Sequence, residues 1–142
     1  MRLSGSTIAV WLLALQAPAA LACGYCVEDR IAATYDFSVV SGALDQRHEV
    51  AFFVIQGAGG ANGMSGAAIS RLLEGTKGID RNSVRVSVDA ASLSFAFDPA
   101  RAPLGPILNA ADGKLHSKGL SLALLRVLDH ASYAKPAPVA AR

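Results

Sequence analysis

Two cysteines are the residues of this sequence with the clearest capacity for chemistry. They occur as Cys23-Gly24-Tyr25-Cys26, directly ahead of a segment with helical spacing. Two thiolates separated by two residues suit Cu(I), or Zn(II) when further ligands are present. The start of a helix favours the thiolate, which is the form that binds metal. Cys23 and Cys26 are therefore the candidate metal ligands.

The same two cysteines fit other roles. In an oxidising compartment they suit a short structural disulfide. Cys-Gly-Tyr-Cys also resembles the active site of periplasmic disulfide isomerases, which implies dithiol redox chemistry. In those thioredoxin folds, however, the pair follows a first strand, whereas here only the expected leader precedes it. A lipid on Cys23 is a further option, although Ala20 stands where lipoprotein cleavage sites generally have Leu.

Residues 1–22 have the pattern of a secretory signal peptide. Arg2 precedes an apolar run over residues 8–15, and Ala20-Leu21-Ala22 matches a small-x-small cleavage site. The apolar run is about half the roughly 20 residues that cross a bilayer. We therefore expect a periplasmic or secreted protein that begins at Cys23 and has no membrane span after cleavage.

The charge of the exported chain is close to neutral. Without Arg2 it carries twelve Lys and Arg against eleven Asp and Glu. A nucleic-acid partner requires a basic stripe, which is missing here, so none is expected. The remaining length is typical of a single domain with a core of its own.

A glycine-rich loop over residues 57–63 follows a strongly apolar segment and leads into a helical pattern. Gly57, Gly59, Gly60 and Gly63 offer the tight turn and the helix start that a phosphate cradle needs. The acidic residue near the end of a next parallel strand is missing, and there is no Gly-Lys-Ser or Gly-Lys-Thr. The loop therefore gives little support to nucleotide binding.

Hydrophobic periodicity predicts the elements that position these residues. Residues 37–45 are predicted to be a weakly patterned connection, with a strand over 37–40 as an option. Residues 120–128 fit a last strand or a helix, and the Pro- and Ala-rich tail is predicted to be disordered. The other expected elements are a helix at 27–35, a strand at 48–56, a helix at 65–74, a half-buried hairpin with strands at 84–88 and 93–97, and a helix at 103–111 that ends before Gly113.

The order of these elements predicts an α+β fold. From residue 48 onward it is βαββαβ, which indicates a ferredoxin-like sandwich with two helices on one face of an antiparallel sheet. A short N-terminal helix precedes it. The expected organisation is a signal peptide at 1–22, a Cys-x-x-Cys helix and connection at 23–47, the sandwich at 48–130 and a tail at 131–142.

Residues 50–112 resemble the heavy-metal-associated domain family, the small modules of copper chaperones and metal-transporting ATPases. The matching segments are Gly63-Met64-Ser65, residues 69–73, Lys77-Gly78-Ile79, residues 84–89 and residues 97–101. The resemblance implies a ferredoxin-like fold and metal transfer to a transport protein. It does not extend to the family's metal site, because Gly66 and Ile69 stand where the family has cysteines, and neither can ligate a soft metal. Met64 is expected to pack in the core.

The histidines and the remaining polar residues give no catalytic signature. His48, His116 and His130 are expected to be surface or capping residues, although His130 would approach the N-terminal helix if the last segment is an edge strand. No Ser-His-Asp pattern or pair of carboxylates with a local signature is present. We therefore expect a protein that is not an enzyme.

The sequence thus favours an exported small protein that binds or passes on a soft metal ion, Cu(I) or Zn(II), through Cys23 and Cys26. The expected partner is a metal-transport protein. The first alternative is a non-catalytic interaction module with a degenerate metal site and a structural disulfide, which would use an exposed sheet face or edge strand. The second alternative is a small dithiol-disulfide oxidoreductase.

Overall fold

One antiparallel sheet forms the centre of the fold. A computed structural model describes residues 26–57 and 63–134 of the chain. The strands are β1 (Glu49–Gly57), β2 (Arg85–Ser87), β3 (Ser92–Phe97) and β4 (Leu120–Leu128), in the sheet order β2-β3-β1-β4. The helices of the described residues are α1 (Val27–Thr34), α2 (Phe37–Asp45), α3 (Gly66–Glu74), α4 (Leu104–His116) and α5 (His130–Ala134).

The predicted α+β class and four-stranded antiparallel sheet are confirmed. Every neighbouring pair of strands is antiparallel, and β1 lies between β3 and β4. The last apolar segment is a strand rather than a helix. This arrangement is compatible with a ferredoxin-like sandwich.

The first face of the sheet is covered by α3 and α4. The helices contribute buried apolar residues at intervals of four, which is one face of a helix. These residues are Ile69 and Leu73 of α3, and Ile107, Ala111 and Leu115 of α4, which share one core with Phe53, Phe95 and Phe97 of the sheet. The Ser65 side chain caps α3 by accepting from the Ala68 N–H at 3.2 Å.

The predicted end of α4 before Gly113 is wrong. The helix continues through Gly113 to His116. Glycine inside a helix costs about 1 kcal/mol relative to alanine. The last turn places Leu115 in the first core, fully buried, and this burial offsets the cost of the glycine.

The predicted connection over residues 37–45 is also wrong, because this segment is α2. Asp36 caps the helix, its carboxylate accepting from the Ser38 and Val39 N–H groups. Val40, Ala43 and Leu44 are buried at helical spacing against the second face of the sheet. The β-branched residues Val39 and Val40 favour a strand locally, but packing against the sheet stabilises the helix instead.

The second face of the sheet is therefore covered as well, by α1 and α2. The predicted sandwich has two helices on one face and a half-buried hairpin, so it lacks the layer that α1 and α2 form on the second face. All six residues of β3 are buried. Ser94, which points to the second face, donates from its hydroxyl to the Thr34 carbonyl oxygen of α1 at 2.9 Å.

The chain ends are described only in part. The signal peptide and Cys23 lie outside the described residues, as does most of the expected tail, although α5 occupies its first part.

Burial, together with a hydrogen bond to Tyr133 of α5, raises the pKa of Tyr35 at the end of α1. No helix among the described residues has the length and apolar character needed to cross a membrane.

Replacing Leu44 with alanine tests whether α2 is an integral part of the core. We expect Leu44→Ala to lower the free energy of unfolding by about 2–5 kcal/mol, because it leaves a cavity beneath the helix. Phe37→Ala is the matched control: the Phe37 side chain is 67% exposed, and we expect a change within about 0.5 kcal/mol. Urea unfolding measures both values. Equal effects of the two variants would contradict the packing of α2.

Candidate functional site

Cys26 lies at the N-terminal end of α1, immediately before the first helical residue. It is exposed and has no disulfide partner among the described residues. The Asp29 carboxylate accepts hydrogen bonds from the Cys26 backbone N–H at 3.3 Å and from its Sγ at 3.1 Å. Cys23, the other predicted ligand, lies outside the described residues, so the pair itself stays a prediction.

The helix that carries Cys26 is fixed to the sheet by the Ser94–Thr34 hydrogen bond and at three further points. Ile31 is buried in the second core. The Arg30 guanidinium donates to the carbonyl oxygens of Ala90 and Ala91 at 2.7 and 3.2 Å, in the turn that joins β2 to β3. The third point is an ion pair between α1 and β4. The Cys26 sulfur is therefore held on an anchored element and not on a free terminus.

That ion pair joins Glu28 to Arg126 through two hydrogen bonds. The hydrogen bond with Glu28 raises the pKa of Arg126. Both side chains are largely exposed, so the pair contributes little to overall stability. The ion pair matters for the surroundings of Cys26, because it occupies Glu28, one of the two carboxylates in the first turn of α1. Asp29 is the carboxylate that remains beside the sulfur.

This arrangement can hold a cation after one proton is lost. The Cys26 thiol is a donor to Asp29, so a metal ion would replace that proton on the sulfur. The Asp29 oxygen would then lie close enough to serve as an additional ligand. Zn(II) accepts thiolate and carboxylate together, whereas Cu(I) prefers sulfur alone.

The family positions that correspond to metal-binding cysteines are part of the structural frame. Gly66 is the first residue of α3, and a Cβ there would contact Val86 at 3.6 Å. Ile69 is fully buried in the first core. Met64 packs against the same core, as predicted.

A second group of titratable side chains comes together at one end of the sheet. His48 directly precedes β1, Asp80 follows the isolated bridge between Ile79 and Phe97, and Asp98 directly follows β3. His48 Nδ1 lies 2.6 Å from Asp80 Oδ2, and His48 Nε2 lies 3.7 Å from Asp98 Oδ2. A cavity of about 270 Å³ adjoins the two carboxylates.

Sequence reasoning missed this group. It treated His48 as a surface or capping residue, although the side chain is in fact only 20% exposed. The three residues come from distant parts of the chain, so no local spacing connects them. The only usable signal is that His48 begins a predicted strand and Asp98 directly follows one, whereas Asp80 flanks no predicted strand. His116 ends α4, and His130 begins α5; both are exposed.

Across the described residues, no group of three or more His, Cys, Asp or Glu side chains is arranged to hold a metal ion. Comparisons with protein-family models, with curated proteins and with solved structures found no match to this chain. The resemblance to heavy-metal-associated domains therefore stays a prediction. The case for a function depends on the geometry of the chain itself.

The joint between α1 and α2 is held by a carboxylate. Asp36 accepts from the Ser38 hydroxyl at 2.6 Å and from Arg85 Nε of β2 at 2.8 Å. These hydrogen bonds, with that from the Val39 N–H, keep the pKa of Asp36 well below its ordinary value. A carboxyl group with a depressed pKa stabilises the fold above its unfolded pKa, and this contribution is lost as the pH falls through the folded pKa.

Asp36→Asn tests this joint, because asparagine keeps the helix cap and removes only the charge. We expect the variant to be less stable than the parent at pH 7. The difference should shrink as the pH falls below the ordinary aspartate value of 3.8. Urea unfolding between pH 7 and the acid limit of folding measures it. In an Arg85→Gln background the effect of Asp36→Asn should diminish, and an unchanged effect would contradict the coupling.

Proposed function

We propose that this protein is exported and binds or passes on a soft metal ion through Cys23 and Cys26, without catalysing a reaction. The observation that carries the proposal is the exposed Cys26 sulfur at the start of an anchored helix, 3.1 Å from an Asp29 oxygen. The Cys26 thiol is exposed, and Asp29 is the carboxylate in the same turn of helix that attracts cations, because Glu28 is paired with Arg126. A metal-transport protein is the partner that such a role requires.

We also propose that the sheet and its helices form a ferredoxin-like sandwich related to heavy-metal-associated domains. Support comes from the chain order βαββαβ between β1 and β4 and from the sheet order β2-β3-β1-β4. In this proposal the loop before α3 has lost its ligands. Metal binding belongs to α1, on the other face of the sheet.

Asp29 makes Zn(II) the better match of the two expected ions. A carboxylate oxygen next to the sulfur is a usual zinc ligand and a poor ligand for Cu(I). With two thiolates and this carboxylate, only one position on a tetrahedral zinc ion would be left for water or for a ligand from the partner. An open position of this kind suits a protein that hands its metal on.

Anaerobic titration of the reduced, exported protein with Cu(I) and Zn(II) tests the proposal. We expect one equivalent of either ion to bind to the cysteine pair, and this binding to disappear in the Cys23→Ser, Cys26→Ser double variant. Met64→Leu is the matched control, because this side chain packs against the core and should leave both titrations unchanged. Cu(I) binding that survives in the double variant would overturn the assignment.

Asp29→Asn separates the two metals in the same assay. Zinc affinity should fall by about 10-fold or more, since an anionic ligand is lost, while Cu(I) affinity should stay close to that of the parent. Glu28→Gln is the control for the loss of one negative charge from the same turn. An equal fall in both variants would mean that Asp29 acts through charge alone.

The outer edge of β4 favours a second candidate, a non-catalytic interaction module. This nine-residue strand pairs only with β1 in the described sheet, its Leu124 side chain is exposed, and Arg126 is its one charged residue. A long apolar edge is a site for strand addition by a partner. In that case Cys23 and Cys26 would form a structural disulfide. A protein that is oxidised as exported and binds neither metal after reduction would favour this candidate.

A further inference from the structure

We infer that His48 and Asp98 form a second metal site, distinct from the cysteine pair, that takes a divalent transition-metal ion of the Zn(II) type. Asp80 is the residue that positions His48. The site lies where the beginning of β1 meets the end of β3, which are paired in the sheet through Glu49 and Phe97. Imidazole nitrogen and carboxylate oxygen together suit zinc and its neighbours in the transition series.

Asp80 determines which nitrogen of His48 is available. An ionised carboxylate can only accept hydrogen bonds, so the 2.6 Å contact places a proton on Nδ1. In a neutral imidazole the lone pair is then on Nε2, the atom that faces Asp98. A histidine that ligates a metal usually donates its other ring N–H to a carboxylate in this way. Asp80 therefore supplies the support that a metal-binding His48 needs.

Asp98 is oriented in a similar manner. Its Oδ1 accepts from the Ala100 N–H at 2.9 Å, in the turn that follows β3. Its Oδ2 is left facing His48 Nε2 at 3.7 Å. This distance is too long for a hydrogen bond. An ion bound at about 2.0–2.1 Å to both atoms would span it with a wide angle between its two ligands.

A cavity whose lining includes both carboxylates, and not His48, adjoins the proposed site. It is lined by both Asp80 and Asp98 and is large enough for several water molecules. Water completes the shell because the described residues hold no third His, Cys, Asp or Glu in position. Lys77 and Arg101 line the same cavity, and their positive charges oppose a cation. Moderate affinity is therefore expected, below that of a site with three or four protein ligands.

The competing explanation is an ion pair only. A protonated His48 between two carboxylates would join the same strand ends without a metal, with Nε2 weakly engaged at 3.7 Å. In a metal site the Nε2 lone pair binds the metal ion, whereas in the ion pair Nε2 carries a proton. Metal titration decides between them, because an imidazolium has no lone pair left to bind a metal.

The experiment uses the Cys23→Ser, Cys26→Ser double variant of the exported chain, so that the thiol site is absent, with Zn(II) and Co(II) as probes. We expect one equivalent of Zn(II) to bind at neutral pH. Co(II) should give visible d–d absorption without the intense near-ultraviolet band of a cobalt–thiolate bond. Adding His48→Gln should abolish this binding, and Asp80→Asn should weaken it about 10-fold or more.

His116→Gln is the matched histidine control, because His116 is exposed at the end of α4, and it should bind zinc as the parent does. Circular dichroism shows whether each variant is folded, and Asp98→Asn replaces His48→Gln if the latter is not. Absence of zinc binding in the folded double variant, or equal binding with and without His48, would establish an ion pair only. Neither outcome affects the Cu(I) titration of the intact cysteine pair.

Discussion

The burial of β1 on both faces is the constraint on which the rest of the structure depends. Successive side chains of a strand point to opposite sides of the sheet. Ala51, Phe53 and Ile55 therefore enter the first core, while Val50 and Phe52 enter the second. An apolar strand of this kind needs helices on both faces, and α1 with α2 supplies the layer that a minimal sandwich of two helices leaves out. The N-terminal helix is thus part of the fold.

This constraint also bears on the proposed metal binding. Of the two α3 positions that the resemblance aligns with metal-binding cysteines, Ile69 is buried in the first core, and Gly66 has no side chain and lies beside Val86. Cys26, the described member of the proposed ligand pair, lies instead directly before α1, the helix that with α2 covers the second face. Arg30 and Ile31 anchor this helix to the sheet, while Cys26 at its start is exposed. In the proposed function, metal binding therefore belongs to the second face of the sheet.

The His48 group follows from the pairing of strand ends. In an antiparallel pair the beginning of one strand lies beside the end of its neighbour. The residue before β1 and the residue after β3 are therefore neighbours, and the segment that precedes β2 brings in Asp80. Residues that flank strands are free to be polar because they lie beyond the core. Titratable groups that are far apart in the chain can therefore lie close together at the ends of paired strands.

The sequence by itself determined most of the elements, because hydrophobic period and flanking turn residues are local properties. The alternation in β3, the spacing in α3 and the thiol pair at the start of α1 are all visible in single segments. Only the tertiary structure decided that residues 37–45 are a helix, that α4 continues past Gly113, and that β3 is buried on both sides. It alone brought His48 to Asp80 and Asp98. Each of these depends on burial against residues distant in the chain, and the free energy of that packing exceeds the local propensities that the sequence displays.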